Sequence, residues 1–180
     1  MNISYSVKLS EFAGTEPVTL SEVKAQLKLD TSADDTLITA LITQARMQME
    51  AFTGTSIVEH DIEVIAKLDG CNLFELPYGP LSDIPDLVIQ ELKVLGGTAT
   101  TLTSTQYDLY GGHFAQLRSP YDGMYSMTYT AGYDPLPQPL RLSIIHQAAY
   151  LYEHRGDEGM IDKISPTALG LAKLYRRVVA

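Results

Sequence analysis

Between Asp34 and Phe52 the apolar residues Ile38, Leu41, Ile42, Ala45, Met49 and Phe52 recur at three- and four-residue spacing, and Gly54 follows as a stop. That period predicts an amphipathic helix over about 34–53. Upstream, Thr19-Leu20-Ser21-Glu22 has the form of a capping box, with Leu20, Val23 and Leu27 on one face of a short helix over about 20–28. The intervening turn is rich in capping residues, and Asp34 and Asp35 suit the positive end of the following helix dipole. Residues 1–17 lack a sustained helical period and end at Pro17, which reads as an N-terminal arm or edge strand.

The period changes in the middle of the chain. Ile57, Val58, Ile62, Val64 and Ile65 form a β-branched run, followed by short apolar stretches near Leu73–Leu76, Leu87–Leu95, Tyr107–Tyr110, Phe114–Leu117 and Met124–Thr130. The turn signals Pro77-Tyr78-Gly79-Pro80, Gly96-Gly97, Gly111-Gly112 and Pro120-Tyr121-Asp122-Gly123 separate them. This predicts a β-rich insertion over about 56–131, a small antiparallel sheet of about five or six strands. A helical period then returns over about 140–155, through Ile144, Ile145, Ala148, Ala149, Leu151 and Tyr152, stopping at Gly156. Ser165-Pro166 starts a last helix over about 166–178, lined by Leu169, Ala172 and Tyr175. The expected fold is α+β and mainly helical, with two helical hairpins flanking a central small antiparallel β insertion. Residues 18–180 would form one domain behind the 1–17 arm.

Composition narrows the function classes. At 180 residues and 45% hydrophobic, the chain can bury a core without disulfides or metal. The one cysteine, Cys71, cannot form an internal disulfide and sits near Asp69 and Glu75, so a reducing cytoplasm suits it and a reactive thiolate is not favoured. No run approaches a membrane span, and Met1–Ser10 lacks the basic start and apolar core of a signal peptide. The net charge of −9, from 13 basic and 22 acidic residues, opposes binding of a phosphate backbone.

Motifs for chemistry are sparse. His146 and His154 lie eight positions apart on one helix, which places them ~12 Å apart, too far to share a metal without other ligands. The glycine pairs lack P-loop spacing, and no nucleophile elbow occurs. No catalytic residue, cofactor or metal ligand is therefore expected. Glu153, Arg155, Asp157 and Glu158 form a mixed charged cluster, read either as inter-subunit ion pairs or as a solvated helix terminus. The tyrosines Tyr107, Tyr110, Tyr121, Tyr125, Tyr129 and Tyr133 suit either an interface or cross-strand packing.

Four stretches together carry a resemblance: Val18 to Asp30 with Asp34-Asp35 and the helix to Gly54; Leu76-Pro77-Tyr78-Gly79-Pro80-Leu81; Tyr129-Thr130-Ala131-Gly132-Tyr133 with the prolines to Leu140-Arg141; and Ala148 to Arg155. In order and spacing the chain resembles the head–tail connector (head-completion adaptor) family of tailed bacteriophages. Where that family often has a basic residue after the proline turn, Leu81 to Asp86 is acidic here. The resemblance implies a structural, non-enzymatic virion protein, assembled in the host bacterial cytoplasm and placed at the head–tail junction. It implies a homo-oligomeric ring, dodecameric to match the portal protein, with a stopper or tail-completion protein at its other end. DNA would pass through the channel without sequence-specific binding.

The C-terminal helix would dock on the portal, with Leu174, Tyr175, Arg176 and Arg177 as candidate contacts, in keeping with its amphipathic, basic character. Three other readings stand beside this one. They are a tail-completion protein, a generic monomeric binding module, and a metal-dependent hydrolase built around His146, His154 and Glu153.

Overall fold

A computed structural model describes residues 5–10, 14–69, 73–82, 87–93, 98–112, 114–118, 122–157, 159 and 163–177. It divides into two compact units that interleave in sequence: residues 1–13 with 59–134, and residues 14–58 with 135–180.

The first unit is built from strands. β1 (Tyr5–Leu9), β2 (His60–Asp69), β4 (Val88–Leu92), β5 (Thr100–Thr101) and β8 (Asp122–Ala131) form an antiparallel sheet in the order β1-β2-β8-β4-β5. β3 (Phe74–Glu75), β6 (Asp108–Tyr110) and β7 (Gln116–Arg118) form a second, in the order β3-β7-β6. The frame is the ten-residue pairing of β2 with β8, from His60 opposite Ala131 to Asp69 opposite Asp122. Alternation puts Ile62, Val64, Ala66 and Leu68 of β2 and Tyr125, Met127, Tyr129 and Ala131 of β8 on one buried face. Phe74, Leu76, Leu81, Leu87, Ile89, Ala115 and Leu117 complete that core. The β6–β7 turn needs glycine at position 111, where φ is +88° and an added Cβ would lie 2.7 Å from the Phe114 carbonyl oxygen.

The second unit is helical: α1 (Leu20–Leu27), α2 (Asp35–Thr53), α3 (Gln138–Glu153) and α4 (Pro166–Ala172), with a 3₁₀ turn over Lys173–Tyr175. The capping box forms at α1: Glu22 N–H donates to Thr19 Oγ1 (3.4 Å) and Thr19 N–H donates to Glu22 Oε2 (2.9 Å). α2 ends on Gly54 in the left-handed conformation. α3 is buried on most sides, through Leu140, Ile144, Ile145, Ala148, Ala149, Leu151 and Tyr152, and packs against α1, α2 and α4.

The expectation of a mainly helical chain, two helical hairpins around a small β insertion, is corrected here. Among the described residues there are eight strands in two antiparallel sheets against four α-helices. The helices gather around α3 rather than in two hairpins, because a helix apolar on nearly every side must be covered from several directions. The strand content is larger because residues 5–9 pair with β2 as an edge strand, and because β2 and β8 each run unbroken through ten residues. Small and polar residues such as Ala66, Gly123 and Ser126 make those two long strands read as fragments.

Candidate docking surfaces

The C-terminal segment is anchored before it becomes exposed. Ser165 caps α4, its Oγ accepting from Ala168 N–H at 3.1 Å, and Ala168 and Ala172 are fully buried. Behind them Gln147 of α3 is a buried polar hub. Its side-chain nitrogen donates to Gln48 Oε1 (2.7 Å) and to the Lys163 carbonyl (2.9 Å), and its oxygen accepts from Ser165 N–H (2.8 Å). The chain then runs to the C-terminal end of α2, where Arg177 N–H donates to the Thr53 carbonyl at 2.7 Å. The Arg176 guanidinium lies 5.3 Å from the Phe52 ring centroid.

Of the four residues singled out for portal contact, Leu174 is 79% exposed, the highest among the described large apolar side chains, and Arg176 is exposed. Tyr175 and Arg177 are half-buried. The structure thus brings one free apolar side chain and the cations Lys173 and Arg176 together on the last turn, with Arg177 at its foot. Cations near the last carbonyls of α2 also complement its dipole.

The charged cluster at the end of α3 is arranged differently. Arg155 donates to the Tyr152 carbonyl (2.9 Å) and its guanidinium lies 4.3 Å over the Tyr152 ring, so it packs on its own helix end. Glu153 is exposed, and Asp157 N–H donates to the His154 carbonyl (3.0 Å). No ion pair joins Glu153, Arg155 and Asp157 among the described residues, and Glu158 lies outside them. His154 caps α3, its N–H donating to the Tyr150 carbonyl (3.1 Å) and its ring 4.1 Å from that of Tyr150. The Tyr152 hydroxyl donates to Asp34 Oδ2 at 2.5 Å, which raises the phenol pKa because the carboxylate favours the protonated form.

Among the described residues no group of three His, Cys, Asp or Glu side chains could hold a metal ion, and no helix is long and apolar enough to cross a membrane. Of the crowded tyrosines, Tyr125 and Tyr129 are core residues, the Tyr129 hydroxyl donating to the Pro77 carbonyl (2.6 Å). Tyr110 is exposed, and Tyr121 lies outside the described residues, as does Cys71.

Sequence reasoning missed two buried polar assemblies. One is the Gln147 hub. The other joins Arg46 to Glu16 and Glu50 at 2.9 and 2.7 Å. The available signal was position: Arg46 and Gln147 each fall on a helix face that is otherwise apolar, where a polar side chain needs a fixed partner.

Residues 17–89 match the family model of the phage gp6-like head-tail connector proteins. The resemblance to the phage head–tail connectors holds. The fold is shared with solved structures over nearly the whole chain. A chain from the neck of an empty gene transfer agent (GTA) particle, computed with C6 symmetry, is 17% identical with a TM-score of 0.74, over 96% of this chain and 97% of that one. A chain from the virion of the native particle is 18% identical with a TM-score of 0.70, over 96% of each. One from the native neck, computed with C12 symmetry, is 18% identical with a TM-score of 0.64, over 96% and 97%. No curated protein matches the sequence.

Proposed function

We propose that this chain is a structural, non-enzymatic subunit of a phage or phage-like virion, a head–tail connector that forms a ring at the head–tail junction. The observation that carries this reading is the match of residues 17–89 to the connector model. The likeness over 96% of the chain to a subunit of a particle neck supports it. Necks computed with C6 and C12 symmetry favour a symmetric ring, dodecameric where the portal is. In this reading the exposed Leu174 and Arg176, with Tyr175 and Arg177 beneath them, dock on the portal. The far end receives a stopper or tail-completion protein. DNA passes through a channel whose wall, in a chain of net charge −9, does not hold a polyanion.

Native mass spectrometry of the purified chain, alone and with its portal, tests this. A homo-oligomeric ring, or about one copy bound per portal subunit, is expected. A chain that stays monomeric and ignores the portal overturns the connector reading and leaves a tail-completion protein or a monomeric binding module.

A further inference from the structure

α2 carries two uncharged seams, the outer one apolar except for Gln44 at its centre. The inner one, Ile38, Ile42, Ala45 and Met49, is buried in the helical unit. On the opposite side Leu37, Ala40, Gln44, Met47 and Ala51 follow one another at steps of three, four, three and four. That is the spacing of residues that seat against a second helix. At 1.5 Å per residue this outer seam is ~21 Å long. Its large side chains are open, Leu37 at 40% and Met47 at 59% exposed, and Ala40 and Ala51 between them are small enough for close approach.

The outer face also lacks charge. The charged residues of α2 are Asp35, Arg46 and Glu50. Asp35 pairs with Lys24 at 2.7 Å, and Arg46 and Glu50 pair with each other on the inner side. What remains outside is Thr36, Leu37, Thr39, Ala40, Gln44, Met47 and Ala51, while the half-buried Thr43 beside them donates its hydroxyl to Glu16 Oε1 at 2.9 Å. A solvated face of a 19-residue helix ordinarily carries the charges that keep it in water.

The occupant follows from the net charge. Copies bearing −9 each repel, and identical copies approach at least cost where the touching surface is neutral and apolar. We infer that the outer seam of α2, from Leu37 to Ala51, is the surface on which a neighbouring copy of this chain packs in the ring. The inference rests on the connector reading and names the contact that closes it.

The test compares the full-length chain with its Leu37→Glu/Met47→Glu variant, alone and with the portal, by native mass spectrometry. Met47→Leu serves as a variant that keeps the seam. Both glutamates replace exposed side chains, so the circular dichroism spectrum should persist and Tm should stay within about 2 °C. The wild type and Met47→Leu should assemble, alone or on the portal, while the double variant should lose the multi-copy species. Assembly by the double variant at the wild-type concentration overturns the inference and leaves the connector reading standing. So does a variant that still forms its ring but no longer binds the portal, since the seam would then belong to another partner. If the wild type neither self-associates nor joins the portal, the connector reading itself fails, and this contact with it.

Discussion

Arg46 Nε donates to Glu16 Oε2 at 2.9 Å, tying the middle of α2 to the segment that leads into α1. The same guanidinium reaches Glu50 at 2.7 Å, and Glu50 Oε1 in turn accepts from Ile57 N–H at 2.9 Å. One cation therefore fixes the chain on both sides of α2. Arg46→Ala would remove this cation from beside two carboxylates whose side chains are 19% and 15% exposed. A loss of about 3–5 kcal/mol is expected in urea unfolding, against a smaller one for Glu16→Gln. Equal, small losses for both would show that the network is solvated and carries little.

The α1 cap depends on a partner 119 residues away. The Arg141 guanidinium lies 2.8 Å from the Glu22 carboxylate. Together with the Thr19 N–H bond it lowers the Glu22 pKa from 4.5 to about 2, Arg141 being the larger cause. A carboxylate depressed in the folded state stabilises fully above its unfolded pKa and loses that contribution as pH falls through the folded one. Glu22→Gln should therefore be less stable than wild type at pH 7, by about 1 kcal/mol as for other lost caps. The gap should shrink between about pH 4.5 and 2. Tm measured against pH for both proteins checks this; parallel curves would reject the Glu22–Arg141 coupling. Both side chains are about one-third exposed, so added salt should narrow the gap too.

How much of this was legible in the sequence depends on the range of the interaction. The residues spaced three and four apart in 38–49 are those α2 buries, because a helix is specified by neighbours within two turns. The Thr19–Glu22 box and the Ser165–Pro166 start are equally local. Strand pairing is not. β1 finds β2 with Tyr5 opposite Ala66, and β2 finds β8 with Ile62 opposite Tyr129, partners about sixty residues apart. Alternation shows which face of a strand is buried but not which strand lies beside it. Asp34 illustrates the same limit. Its place before α2 makes it a local cap on sequence grounds, yet its carboxylate makes no side-chain cap bond and accepts from Tyr152 instead. For the docking surfaces, basic residues near the C-terminus were visible in sequence, while the internal engagement of Arg155 with Tyr152 was not.

Gln147 should control the attachment of α4. It is fully buried, and Gln147→Leu keeps its volume while removing the bonds to Gln48, the Lys163 carbonyl and Ser165 N–H. Each buried group left without a partner costs ~1–3 kcal/mol. Hydrogen exchange should rise first at Ser165–Ala172, with little change in the β2–β8 pairing. Exchange that rises uniformly over both units would mean that Gln147 supports the whole chain and not the local attachment.

Portal docking by the last turn should be separable from folding, but not by truncation. Removing residues from Pro166 onward would strip Ala168 and Ala172 from the buried face of the helical unit, so lost binding would then report a damaged core. Leu174 is free of that difficulty because it is 79% exposed. Leu174→Glu should leave Tm nearly unchanged and weaken portal binding about tenfold or more, the size of effect expected of an apolar anchor in an interface. Arg176→Glu should weaken it as well, with a small stability cost of ~0.5–1 kcal/mol from the lost contact with Phe52. Binding of both variants at wild-type strength would remove the last turn from the portal contact and move the search to the other exposed faces of the helical unit.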